Sequence, residues 1–164
     1  MEPSSQNAFP AIRPDDPRLQ QFAIFSGLGS EELSTLIRLT DTVSFDKDAR
    51  IIQSGDDGHC LYILLSGSAT VHAPPPDGGV EFAHLEAGDF FGEISLVDDG
   101  PRSADVIALA PCELIRVTRI TIGVLAGLQP AAAVQLLSSI GRELVKRLRK
   151  TNLKYIDLLH RLSK

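Results

Sequence analysis

The chain has little of what marks several common protein classes. Its two cysteines, Cys60 and Cys112, lie far apart and match no metal-binding or redox spacing. They read as small core residues in a reducing compartment. The four histidines, His59, His72, His84 and His160, are isolated, with no His-x-His or His-x-x-x-His pair. A metal-dependent barrel enzyme therefore has no ligand set to start from. Ser95 and Ser103 have no evident base partner, which weighs against nucleophilic catalysis. The expectation is no metal site, no catalytic residues and no turnover. No run of 18 apolar residues exists, so no membrane span is expected. Residues 1–20 hold four prolines and no apolar run, which excludes a signal peptide and points to a cytoplasmic protein.

What is present suits one domain. The chain has 164 residues, and 43% of them are hydrophobic, enough for a single core. The net charge of -5 is unevenly spread. Residues 1–141 carry 8 Lys/Arg against 19 Asp/Glu, whereas residues 142–164 carry 8 Lys/Arg against Glu143 and Asp157. An acidic body argues against a nucleic-acid surface on it, and the basic tail reads as the solvated face of a helix.

Texture divides the chain further. Residues 1–17, rich in Pro, Ser and Asp, read as a loose arm before a domain at 18–164. Ser30 opens a short helix with Leu33, Leu36 and Ile37 on one face. From about 42 to 118, short apolar runs such as Cys60–Leu65 and Cys112–Val117 alternate with Gly-, Asp- and Pro-rich turns. Strands at this spacing predict a small antiparallel barrel or jelly roll. A short helix follows at 120–127, then a long one at about 130–162 with Pro130 in its first turn. Along it Val134, Leu137, Gly141, Leu144, Leu148, Thr151, Tyr155, Leu158 and Leu162 keep a 3-4 spacing, a heptad seam. Its first half is expected to pack on the barrel and its second half on a second copy.

The chemistry concentrates in Gly88–Val106. Gly92 allows close backbone approach to a ligand. Glu93–Val97 can form one helical turn whose amides attract an anion. Asp98-Asp-Gly-Pro101 turns the chain back, and Arg102, suited to bidentate phosphate contact, enters the next strand beside it. Glu93 would repel a bare phosphate, but it can accept from a neighbouring hydroxyl such as a ribose 2′-OH.

Phe91-Gly-Glu-Ile-Ser-Leu96 with Pro101-Arg-Ser-Ala104, together with Gly55–Gly67 and Gly88-Asp-Phe-Phe91, resembles the phosphate-binding cassette and glycine turns of the cyclic-nucleotide-binding domain family. That family includes catabolite activators, kinase regulatory subunits and cyclic-nucleotide-gated channels. The resemblance covers roughly residues 20–160. It implies that Glu93 accepts the ribose 2′-OH and that Arg102 holds the cyclic phosphate. Gly92 and the amides of Ile94, Ser95 and Ala104 would lie against the ligand. Ser103 resembles the phosphate-touching serine of catabolite activators, which favours cAMP, with cGMP possible. Val71, Phe82 and Ala83 would line the base pocket, although Val71 and Phe82 could equally be core. Arg147 or Thr151 would cap the base. Asp48 stands where the family usually has glycine, and aspartate tolerates that left-handed turn.

The fold expected is therefore mostly β with α: an eight-stranded jelly-roll-like β-barrel with N-terminal helices and a long C-terminal helix. The function expected is a cyclic-nucleotide sensor whose C-terminal helix moves and signals to a protein partner, as a homodimer through that helix. The ligand is a cyclic nucleotide and no cofactor is expected. Because the sequence continues into no helix-turn-helix segment, direct DNA binding is not expected. The rival readings are a degenerate module of the same fold that binds no nucleotide, a truncated transcription factor, and the metal-dependent barrel.

Overall fold

The apolar runs between residues 41 and 118 become eight short strands in the computed structural model, which describes residues 12–74 and 79–163. They are β1 (Asp41–Phe45), β2 (Arg50–Ile52), β3 (Cys60–Ser66), β4 (Ser68–His72), β5 (Glu81–Glu86), β6 (Phe90–Phe91), β7 (Asp105–Ala108) and β8 (Cys112–Thr118). All pairings are antiparallel, and they build two four-stranded sheets, ordered β1-β8-β3-β6 and β2-β7-β4-β5. This is the jelly-roll-like barrel the sequence predicts. Asp48, in the turn after β1, has φ +67°, the one left-handed non-glycine among the described residues.

The two-residue period of β3 and β8 explains why these central strands are buried on both faces. Leu61, Ile63 and Leu65 on β3, with Ile115 and Val117 on β8, face a core made with helices. Leu64, Cys112 and Leu114 face the opposite way, into a core between the sheets with Ile52, Ala69, Leu85, Phe91 and Val106. The register Leu61↔Val117, Ile63↔Ile115 and Leu64↔Leu114 keeps each pair on one side. A slip of one residue would reverse every side chain.

The helical core is filled from both ends of the chain. Two 3-10 turns, Leu19–Gln21 and Ala23–Phe25, bury Leu19, Ile24 and Phe25. Helix α1 (Ser30–Arg38) inserts Leu33, Leu36 and Ile37, and the Glu32 carboxylate accepts from the Gly29 N–H at 2.9 Å to close its first turn. Helix α2 (Arg119–Leu128) starts at Thr118, whose hydroxyl accepts from the Thr121 N–H at 3.0 Å. Helix α3 (Pro130–Leu162) begins at Pro130 and runs for 33 residues. Residues 1–11 of the expected arm lie outside the described residues. Ile12 packs against the helical core, and Arg18 ties Asp16 (2.7 Å) to Glu113 (3.2 Å).

One expectation about α3 is corrected. The residues that pack on the body of the protein are Ala132, Ala133, Leu136, Ser139 and Ile140, with Leu144 partly covered. Val134 and Leu137, the start of the heptad seam, are exposed instead. The reason is steric. Two adjacent alanines let the helix axis approach the body closely, so the small side chains face inward. The seam apart from Leu144 therefore lies in the open, and every residue from Thr151 to Ser163 is exposed.

The two faces should respond differently to truncation. Leu136→Ala removes a fully buried side chain and should cost about 2–5 kcal/mol in urea denaturation. Val134→Ala, 64% exposed in the single chain, should change it by no more than about 0.5 kcal/mol. Equal costs would refute this orientation of α3.

Candidate functional site

The strand edge β4–β5, the segment 91–106 and one face of α3 enclose an open cavity of about 830 Å³. That volume falls within the usual range of small-molecule sites. All twelve residues expected at a site from the sequence line it. Gly92, Glu93, Ile94 and Ser95 come from the turn after β6, and Arg102, Ser103 and Ala104 from the approach to β7. Val71, Phe82 and Ala83 come from the strand wall, and Arg147 and Thr151 from α3. Val71 packs partly into the inner core, whereas Phe82 is 56% exposed at the cavity and is not a core residue.

The turn after β6 is a single 3-10 turn, Glu93–Leu96, entered through Gly92 at φ +77°. A Cβ at Gly92 would stand 2.6 Å from the Arg102 guanidinium, so the glycine serves both the backbone angle and the contact. Arg102 is the centre of the arrangement. Its main chain is locked to the 54–56 loop: its N–H donates to the Asp56 carbonyl (2.8 Å) and its carbonyl accepts from Gly55 N–H (2.9 Å). The same loop is pinned by the Ser54 N–H, which donates to Asp105 Oδ1 at 2.7 Å. The Arg102 side chain donates to the Gly92 carbonyl (3.1 Å), the Ser95 hydroxyl (3.0 Å) and the Cys60 sulfur (3.6 Å).

None of those acceptors is a carboxylate. Arg102 is 8% exposed, and among the described residues it forms no ion pair. A buried cation without a counter-charge costs several kcal/mol, and an anion entering the cavity would offset that cost. Glu93, partly buried on the same rim, offers a carboxylate acceptor. Behind the site, burial holds the Tyr62 phenol up at about 12, and neighbouring Cys60 adds to the shift, so Tyr62 stays neutral beside Phe91. Cys112 is plain core, but Cys60 is more than that, since its sulfur lies against Arg102.

Helix α3 reaches the cavity through Arg147. Its guanidinium donates to the Phe90 carbonyl at 2.7 Å and lies 4.3 Å over the Phe90 ring. Lys150 and Lys154 also line the cavity, and sequence reasoning did not name them. Their spacing from Arg147, three and seven residues, puts all three on one helix face, and that signal was available. Among the described residues, no cluster of three His, Cys, Asp or Glu is placed to hold a metal ion, and no helix is long and apolar enough to cross a membrane.

Fold and site together define a jelly-roll domain with a buried arginine lining a cavity of small-molecule size. The family model of the cyclic nucleotide-binding domain matches residues 42–125, and the chain belongs to that family. It is 33% identical over 103 residues to a cAMP-dependent protein kinase regulatory subunit of Colletotrichum orbiculare, covering 63% of this chain and 26% of that one. It is 28% identical over 145 residues to a CRP-like cAMP-activated global transcriptional regulator of Mycobacterium tuberculosis, covering 88% and 63%. Among solved structures, the Thermus thermophilus catabolite activator protein superposes with a TM-score of 0.72 at 29% identity, over 84% of this chain and 62% of that one. The regulatory domain of Toxoplasma gondii PKA, co-crystallised with cAMP, superposes with a TM-score of 0.64 at 29% identity, over 77% and 48%. The chain thus spans about a quarter of the fungal kinase subunit and under two thirds of the mycobacterial regulator.

The wall behind Arg102 is testable on its own. A Cβ at the buried Gly58 would stand 2.3 Å from Ser95 Oγ and 2.5 Å from Arg102 Nε. Gly58→Ala must displace one of them, and overpacking of this kind should destabilise the fold by about 1–3 kcal/mol. Thermal unfolding measures it; an unchanged midpoint would place the loop elsewhere.

Proposed function

We propose that the chain is a reversible sensor of a 3′,5′-cyclic nucleotide, with cAMP as its ligand, and that it turns nothing over. The observation that carries the reading is the buried, uncompensated Arg102 facing a cavity that also presents Glu93. In this reading Arg102 holds the cyclic phosphate with the amides of Ile94, Ser95 and Ala104 and the hydroxyl of Ser103. Gly92 admits the ligand to close range, and Glu93 accepts the ribose 2′-OH. Val71, Phe82 and Ala83 form the base pocket, where the exposed Phe82 ring can stack on the base. Arg147 or Thr151 on α3 caps it. The sensing unit is residues 18–164, with the barrel at 42–118.

The output is a population shift. Phosphate contact draws in the turn at 92–97, and α3 closes over the base, biased by the ligand's differential affinity for the closed form. The moved helix then presents its face to a protein effector. That face also supports a homodimer. Leu148, Tyr155, Leu158 and Leu162 are exposed along one stripe, and pairing with the same stripe of a second copy buries it by two-fold symmetry. Lys146, Arg149, Lys150, Lys154 and Arg161 then flank the seam.

Removing the Arg102 guanidinium deletes the one basic group of the 88–106 segment. A charged hydrogen bond is worth about 1.5–3 kcal/mol, so Arg102→Ala should weaken cAMP binding about ten- to a hundredfold in calorimetry, with the far-ultraviolet dichroism unchanged. Undiminished affinity would reject the site. The same calorimetry should rank cAMP above cGMP, and the reverse order would reject the choice of base. Light scattering at micromolar protein should give a dimer that strengthens with added salt, because screening relieves repulsion between the basic flanks. A monomer with and without nucleotide would reject the seam.

A further inference from the structure

Ser95 stands between two arginines. Its hydroxyl accepts from Arg102 Nη1 at 3.0 Å, and its carbonyl accepts from Arg119 Nε at 2.9 Å. Arg119 is the first residue of α2. Its other guanidinium nitrogens reach the Asp98 carbonyl (2.9 Å) and the Asp99 carboxylate. One planar side chain thus takes two main-chain carbonyls and one carboxylate from the segment 95–99, using the fork geometry that arginine alone provides. These carbonyls sit at the end of the 3-10 turn, where the turn's own ladder leaves acceptors free. The turn is held otherwise by short local bonds, from Val97 N–H (3.0 Å) and Asp98 N–H (2.8 Å) to the Ile94 carbonyl.

On its other side, Arg119 belongs to a helix that packs against α3. Leu125 of α2 shares the helical core with Ala132, Ala133, Leu136 and Ile140 of α3. Farther along, α3 places Arg147 on Phe90 at the cavity mouth. A continuous chain of contacts therefore runs from Arg102 through Ser95 and Arg119 into α2, and from α2 into α3. Leu96 of the same segment also packs against the helical core, but Arg119 is the side chain that takes the turn's own carbonyls.

We propose that Arg119 is the positioning residue that couples the anion-binding turn to the C-terminal helices, so that movement of Ser95 on the Arg102 side is transmitted to α2 and α3. Arg119 touches no ligand; it fixes where the turn sits relative to α2. The ligand-driven half of this proposal rests on the cyclic-nucleotide reading above. The clasp itself does not, because its contacts run between protein groups alone.

Hydrogen exchange on the full chain, with and without cAMP, tests both halves. Without ligand, Arg119→Ala should raise exchange about tenfold or more at Val97, Asp98 and the first turn of α2, while β3 and β8 keep their protection. Arg119→Lys keeps the charge near Asp99 but loses the fork, so it should give an intermediate effect and serves if the alanine variant folds poorly. With cAMP, the wild-type chain should gain protection both at 92–97 and in α3. Arg119→Ala should keep the first gain and lose the second, with affinity falling by no more than about tenfold, within the usual range of coupling between sites. Wild-type exchange in the ligand-free variants, or an undiminished response of α3, would overturn the proposal. If the wild-type chain shows no response to cAMP, the cyclic-nucleotide reading fails by itself, and the ligand-free comparison still decides the clasp.

Discussion

A guanidinium buried without a carboxylate is the constraint around which the site is organised. Arg102 satisfies its donors with a carbonyl, a hydroxyl and a thiol sulfur. These acceptors take hydrogen bonds but include no carboxylate, and that separates this arginine from Arg18 and Arg116, each of which meets one. Holding such a group in place requires rigid surroundings. The 54–56 loop bonds to its main chain, Gly92 and Gly58 leave room for its plane, and the Ser95 hydroxyl accepts a hydrogen bond from it. The result is an arginine preorganised for an anion, so that little ordering remains to be done on binding.

The barrel and the helices have separate cores, and the sheet β1-β8-β3-β6 is the wall between them. This division matters for function. The inner core backs the cavity through Phe91, Val106 and Ile52, so the site's wall is fixed by sheet packing. The helical core packs α2 and α3 against β3, β8 and Phe90, and near the cavity two polar contacts add to it: Arg119 on the 95–99 segment and Arg147 on Phe90. Polar clasps can exchange partners while the apolar contacts beside them persist, which suits a part that must move against a part that must not.

Much was legible in the residues. The alternating runs between 42 and 118, closed by turn residues, follow from the two-residue period of strands and foretold a small antiparallel barrel; the count of eight strands came with the family resemblance. Pro130 marked the first turn of α3, and Asp48 took the left-handed turn. The candidate site was legible because most of its residues are local in sequence: Gly92 to Ala104 form the one connection between β6 and β7, and its resemblance to a known cassette carried the rest. All twelve residues named from the sequence line one cavity.

Sequence pattern by itself determined which residues have the right period and chemistry: the strands, the seam along α3, and a carboxylate and an arginine, Glu93 and Arg102, in one glycine-rich segment. It could not determine which face of α3 packs, because both the heptad seam and the Ala132, Ala133, Leu136, Ile140 stripe keep a helical spacing. That choice belongs to close approach, which favours small side chains at the contact. Likewise Arg119 and Cys60 came to the site only through folding. Arg119 lies 24 residues from Ser95, and Cys60 lies 42 from Arg102. Contacts of that separation are set by how two sheets and a helix pair pack, a property of the whole chain that no local pattern records.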